Sequence, residues 1–357
     1  MKGVKTMKCV TPMFRRYELG NHKKGTIVPR TEVLEQLIYE PNYIQYCLDK
    51  VNLKSPKYKY EQVPCNHCYA CSLNNSAEWA TRIMFEAKKY ECNFWITLTY
   101  NDDNLPIAEK MTYGEQTFSN YGDEIWMTGT LVPKHITTFL NSLRKSYERK
   151  GHKGIKFYLC GEYGETGKRP HYHIVLMNLP LDITQFYDSH IDTNFKAHWK
   201  SHEIEKFWDK GIIDICDLEW SDAAYTARYC AKKLFKQVSD LQYAANGKVP
   251  EFVRMSNGIG KDYFIENKEK IIKQDGVIAK TVKGNVAKVK MPRYYLKMIE
   301  KENPELYQAI KESRKHMAER NRKMEQQLSD YTDKEKLIMD AQRIATKSKL
   351  LPRGGEF

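Results

Sequence analysis

The chain has no apolar stretch approaching the roughly 18–20 residues that span a bilayer, and nothing in it resembles a signal peptide. Membrane-embedded and secreted classes are therefore set aside, and a cytoplasmic protein is expected. A nucleoside-triphosphate loop is also lacking: five residues separate Gly161 from Gly167, and Arg169 stands where a Ser or Thr would hold Mg²⁺. Gly258-Ile-Gly260 reads as a turn, so no NTP-driven motor is encoded. The nine cysteines are an odd number without a secretory signal, which argues for a reducing compartment and against a disulfide scaffold. Acidic residues are scarce relative to basic ones, 45 against 58, leaving a net charge of +13. That balance suits a polyanionic partner, nucleic acid before membrane.

At 357 residues the chain is long enough for two or more structural units. We divide it into an N-terminal region with a Cys cluster and a helix (1–92), a core (93–238), a basic hairpin region (239–300) and a charged helical tail (301–357). The first sixty residues are basic and tyrosine-rich, broken at Pro12, Pro29, Pro41 and Pro56. Asn75 with Glu78 forms a capping box before Ala80, Ile83, Met84 and Ala87 at helical spacing. Phe94 to Tyr100 is an aromatic and β-branched strand. Pro133 opens a helix with the stripe Ile136, Phe139, Leu140, Leu143 and Tyr147. Strands follow at 155–159 and from His171 to Met177, then a helix over 195–208, a strand at 212–216 and a helix capped by Ser221 or Asp222. Val277 to Tyr295 is expected to be a hairpin turning at 283–285, with a largely helical stretch from Tyr295 to about Ser348. This order fits an α+β sandwich, helices against a largely antiparallel sheet.

His171 and His173 flank Tyr172, and on a strand residues two apart share a face, so both imidazoles can reach one metal ion. A hard ion at a phosphate also needs a carboxylate. Glu162, at the end of the preceding strand, supplies it if the hairpin register is right, because one residue of slip puts Tyr163 there instead. Tyr225 and Tyr229 lie four apart on one helix face, with Lys232 on that face as a cation for a phenol whose pKa is near 10. Lys168 and Arg169 in the loop before His171 suit phosphate contacts. Cys65, Cys68 and Cys71 have a spacing that converges thiolates on Zn²⁺; Cys9 is the candidate fourth ligand, His67 the local alternative, and ordinary reduced thiols the competing reading.

His171-Tyr-His173 resembles the metal motif of the HUH endonucleases, and the stretch from Tyr225 to Lys233 resembles the two-tyrosine helix of rolling-circle replication initiators. Pro64 to Cys71, Trp95 to Tyr100, Cys160 to Gly164, Glu251 to Ser256 and Pro292 to Tyr295 narrow the resemblance to initiators of Microviridae, the gokushovirus-like single-stranded DNA phages, over residues 60 to 295. It implies a ferredoxin-like (RRM-like) nuclease core with Mg²⁺ or Mn²⁺ at His171, His173 and Glu162. It further implies Tyr225 and Tyr229 as nucleophiles forming 5'-phosphotyrosine, a single-stranded origin as substrate, and a host helicase and polymerase in a bacterial cytoplasm. Lys168, Arg169, Lys233, Tyr100 and Arg293 are the expected DNA contacts. The alternative is a non-catalytic single-stranded DNA or RNA binder whose sheet aromatics Trp95, Tyr100 and Tyr172 stack on bases. A small-molecule iron enzyme using the two histidines is a further rival, and it leaves the charge unexplained.

Overall fold

The computed structural model describes residues 13–19, 21–29, 32–33, 41–55, 57–66, 69–107, 129–164, 168–193, 195–232, 243, 247–280, 286–327 and 339. Cys9, His67, Cys68, Lys233, the turn at 283–285 and the chain after residue 339 lie outside them, as do the side chains of Tyr229 and Lys232. The chain divides into two compact units, Ser72–Tyr295 and a second built from parts of 7–71 and 296–357.

In the second unit, β1 (Met13–Glu18), β2 (Asn21–Val28) and β3 (Tyr58–Val63) form an antiparallel sheet of order β2-β1-β3, and α1 (Pro41–Lys54) opens on a proline, which loses no needed donor at a first helical position. Phe14, Val28, Val33, Cys47, Leu48 and Tyr60 make its core. Arg16 and the Tyr60 hydroxyl meet on Glu32 Oε1 at 2.8 and 2.9 Å, tying β1 and β3 to the segment after β2. The tail helix is interrupted: α8 (Arg293–Glu302) ends before α9 (Pro304–Gln327), because Pro304 cannot continue a ladder and the Asn303 side chain accepts from the Leu306 amide at 2.9 Å.

The first unit is organised by one seven-stranded antiparallel sheet. Its strands are β4 (Asn93–Tyr100), β5 (Lys156–Tyr163), β6 (Pro170–Met177), β7 (Phe186–Ile191), β8 (Ala197–Ser201), β9 (Gly211–Asp217) and β10 (Phe252–Met255), in the order β10-β5-β6-β4-β9-β8-β7. Both faces are covered, which is why β4 and β6 read as apolar runs rather than alternating ones. On one face α3 (Pro133–Arg149) packs Ile136, Phe139, Leu140 and Leu143 over Ile96, Leu98, Leu159, Tyr172, Ile174 and Ile213. On the other, α2 (Tyr69–Ala87) and α5 (Trp220–Lys232) lay Ala80, Ile83, Ala223 and Ala227 on Trp95, Tyr158, Val175 and Cys216. The small alanines let both helices approach the large aromatics of the sheet. α4 (His202–Glu205), α6 (Lys261–Glu266) and α7 (Lys268–Gln274) are short, and β11 (Gly276–Lys280) pairs with β12 (Val286–Lys290) as the expected hairpin.

Three expectations are corrected. The stretch 195–208 is not one helix: Phe195 has φ +62° in a turn, 197–201 is β8 paired with β7, and only 202–205 is helical. Asp192 closes that turn through its side chain, which accepts from the Lys196 amide at 2.8 Å, and Ala197 to Ser201 then join the hairpin. The core sheet also reaches past 238, because β10 forms its edge, and back before 93, because α2 covers it. Pro292 to Tyr295 does not end the hairpin as a strand; α8 starts at Arg293, and Tyr295 is fully buried, stacked on Phe264 with ring centroids 4.4 Å apart.

Candidate functional site

Register decides whether the sequence motifs meet. In the β5–β6 hairpin Glu162 stands directly opposite His171, and Cys160 opposite His173, so the slip that would have substituted Tyr163 does not occur. Residues two apart on β6 share the face covered by α2 and α5, where His171, His173 and Glu162 converge with ligand atoms all within 4.8 Å of one another. His171 Nε2 and His173 Nε2 each lie 2.8 Å from Glu162 Oε1. From α5 the Tyr225 hydroxyl donates to that same oxygen at 3.1 Å.

Proton positions follow from the partners. His171 Nδ1 faces the Arg169 carbonyl at 3.0 Å, and since a carbonyl only accepts, Nδ1 carries the hydrogen and Nε2 the lone pair. His173 Nδ1 lies 3.0 Å from Thr97 Oγ1, so a hydrogen there presents the Nε2 lone pair to the carboxylate as well. The His173 ring is stacked on Trp95 at 4.8 Å and meets the Tyr225 ring edge-on at 5.1 Å. Trp95 is fixed in turn by its Nε1–H, which donates to Thr226 Oγ1 at 3.0 Å.

The electrostatics agree with that assignment. Burial alone would push the Glu162 carboxyl up, but the two imidazoles outweigh it and hold it at about 2, an anion at neutral pH. Burial pushes His173 below the ordinary imidazole value despite Glu162, so it is neutral there. Burial, and then the Glu162 charge, raise the Tyr225 phenol far above its usual range. Two lone pairs aimed at one side of a buried anion are mutually repulsive unless a cation lies among them. Glu162 Oε2, also buried, has no hydrogen-bond partner among the described residues. The donor spacing of 2.8 Å is close to the ~3 Å between adjacent ligands of an octahedral ion with bonds of ~2.1 Å. The residues present thus fit a hard divalent ion.

The remaining expected contacts separate. Lys168 is exposed beside the site, with φ +46°. Arg169 is committed to the Tyr100 carbonyl at 2.9 Å and to Asp102, and Arg293 is paired with Glu78 at 2.9 Å. Tyr100 is fully buried on the α3 face, its hydroxyl bonded to Tyr172 and His135 at 2.9 Å, and cannot stack on a base. Tyr172 is likewise buried and Trp95 is only 9% exposed, so the aromatics of a base-stacking sheet are inaccessible. Tyr229 and Lys232 lie on α5, one and nearly two turns past Tyr225. The described cation beside Tyr225 is Arg228, its guanidinium carbon 5.6 Å from the ring centre, a residue that sequence reasoning passed over for Lys232. Cys65 and Cys71 are buried with sulfurs 4.0 Å apart.

An antiparallel sheet sandwiched by helices, with two histidines, a carboxylate and a helix-borne tyrosine gathered on one oxygen, defines a mixed α+β protein with a metal-competent phenol centre. The match to known families falls on the same stretch. The model of the replication-associated protein ORF2 family matches residues 93–234. Relatives include the replication-associated protein ORF2 of Spiroplasma virus 4, 43% identical over 279 residues, covering 76% of this chain and 80% of that one. The replication-associated protein VP4 of Bdellovibrio phage phiMH2K is 26% identical over 278 residues, 76% of this chain and 78% of its own. The replication-associated protein ORF4 of Chlamydia phage 1 is 25% identical over 241 residues, 67% and 54%. The chain belongs to the replication-associated protein ORF2 family. No solved structure matches it.

Proposed function

We propose that the protein is a site-specific, metal-dependent single-stranded DNA endonuclease and strand-joining enzyme that starts and ends rolling-circle replication. The observation that carries this reading is the shared oxygen: Tyr225 donates to the carboxylate oxygen on which both histidines converge. A nucleophile and a candidate metal centre therefore occupy one point. The strand order β5-β6-β4-β9, with α3 between β4 and β5, supports a ferredoxin-like core. His171, His173 and Glu162 would hold Mg²⁺ or Mn²⁺, which when bound supplies Lewis-acid polarisation of a phosphate oxygen and fixes the phosphate for in-line attack.

The chain's own residues do the rest. The Tyr225 oxygen bonds to phosphorus as the bond to the 3'-oxygen breaks; the phenol gives up its proton, the leaving oxygen gains one, and a 5'-phosphotyrosine results. Attack of a 3'-hydroxyl on that ester reverses the exchange, returns the tyrosine and seals the strand, so joining needs no nucleotide. Tyr229, one helical turn away, provides a second nucleophile for the second cut. A single-stranded replication origin is the substrate, and unwinding and synthesis fall to a helicase and polymerase of the host. Membership in a family of phage replication-associated proteins supports that setting.

The test is a denaturant-resistant protein–DNA adduct, sought with Mn²⁺ and labelled single-stranded fragments tiling the replicon. Tyr225→Phe and Tyr229→Phe should each retain an adduct, and the double variant should form none. Binding without any adduct across all fragments would sink the proposal and favour a binding module.

A further inference from the structure

The sheet carries a second convergence of metal-ligating groups that the tyrosine chemistry does not use. His190 on β7, His198 on β8 and Asp214 on β9 each offer a donor atom within 4.8 Å of the others. His198 and Asp214 are each only 5% exposed. His198 Nδ1 lies 2.7 Å from Asp214 Oδ2, and its Nε2 is buried without a hydrogen-bond partner among the described residues, facing the Asp192 carboxylate at 3.8 Å. His190 stacks on His198 at 5.2 Å and turns its Nε2 toward the other Asp214 oxygen at 3.9 Å. A buried ring nitrogen without a partner is costly, and here two carboxylates and a second imidazole lie just beyond bonding distance around it. The nearby lysines are spent elsewhere, Lys196 on Asp222 and Lys200 on Asp188.

We propose that His190, His198 and Asp214, with Asp192 as the adjacent fourth donor, bind a divalent transition ion of the zinc type at a site separate from the Glu162 centre. Two imidazoles with one or two carboxylates are a donor set suited to Zn²⁺ rather than Mg²⁺. The half-exposed His190 ring leaves a path for entry. The ion is not the second metal of a catalytic pair. Thr97 on β4 lies between the clusters, opposite His173 on one side and Asp214 on the other. Two strand spacings put those residues about 10 Å apart, against about 3.5–4 Å for metals that share a phosphate. Its work is mechanical: β8 meets β9 at Trp199↔Ile215, so an ion bridging β7, β8 and β9 holds the hairpin to the sheet. That hairpin carries Lys196, which is ion-paired with Asp222 in the first turn of α5.

The experiment titrates the full-length metal-free chain with Co²⁺ and Zn²⁺ and compares it with His190→Ala and the size-preserving His190→Gln, both on an exposed edge. The expected result is a Co²⁺ ligand-field band without sulfur charge transfer, its affinity weakened by at least about tenfold in both variants. Mn²⁺ binding at the Glu162 centre should be unchanged, and Zn²⁺ should slow amide exchange in residues 186–201 of the parent only. Equal Co²⁺ and Zn²⁺ affinity in parent and variants, with no zinc-dependent protection of the hairpin, would overturn the proposal.

Discussion

Thr97 has no reactivity worth noting in a sequence, yet it decides which nitrogen of His173 bears the hydrogen. Replacing it with the near-isosteric Val removes the partner of Nδ1 without opening a cavity. Mn²⁺ affinity measured by calorimetry should fall by about 10–100-fold in Thr97→Val and recover in Thr97→Ser; equal affinities would show that the ring is oriented by the Trp95 stack alone. Single residues also explain what composition could not separate. Tyr100, Tyr172 and Tyr225 are all aromatics with hydroxyls, but the first two face α3 and the third faces the histidines. Strand parity placed His171 and His173 together, whereas the position of Glu162 depended on a register that only the paired hairpin specifies. Arg228 was hidden for a similar reason: a cation three residues from Tyr225 gains meaning only once the helix is docked.

At the scale of elements, joints between helices and loops carry stability that periodicity does not display. Glu203 on α4 accepts from Lys150 at the end of α3 at 3.0 Å and from the Asp182 amide at 3.2 Å. Burial would raise its carboxyl, but these donors outweigh burial and hold it below its ordinary value. Glu203→Gln should therefore cost about 1–2 kcal/mol in urea unfolding, discounted because Lys150 is more than half exposed. A lowered folded value means the contribution is complete above pH ~4.3 and disappears as pH falls through the folded value, so parent and variant converge in acid. Gly260 is a second joint, at φ +73° before α6, its amide donating to the buried Glu86 carboxylate at 2.6 Å. A Cβ there would meet Tyr295 Oη at 2.6 Å and the Arg82 carbonyl at 2.8 Å. Gly260→Ala should lower stability by about 1–3 kcal/mol in the same assay, from the left-handed backbone and the clash together. Long amphipathic elements such as α3, with all five predicted apolar positions buried, were legible in the sequence. The 195–208 stretch was not, because its strand character comes from pairing with β7, and β7 itself is mostly exposed and polar with little pattern to read.

The whole molecule is basic, +13 over 357 residues, and that excess sets how it should meet a polyanion. Affinity for single-stranded DNA should fall linearly on a log–log plot against salt, with a slope of about −0.7 per phosphate contacted; anisotropy between low and moderate salt would measure it. An affinity indifferent to salt would separate the charge from DNA binding. The first sixty residues yielded little at the level of sequence, because a three-stranded sheet closed by one helix has a core of six scattered residues and no long periodic run. The large sheet has a further consequence, for solubility. Its outer strands are poor templates: β10 is four residues long and carries Arg254, and β7 is polar, with Asp188 and His190 outward. Beneath β10 lies Tyr158-Leu-Cys-Gly161, paired residue for residue with Phe252 to Met255. A chain lacking 252–255 would bare an apolar edge on the hairpin that carries Glu162 and the two histidines, and edge-to-edge self-association would compete with folding before any chemistry was lost.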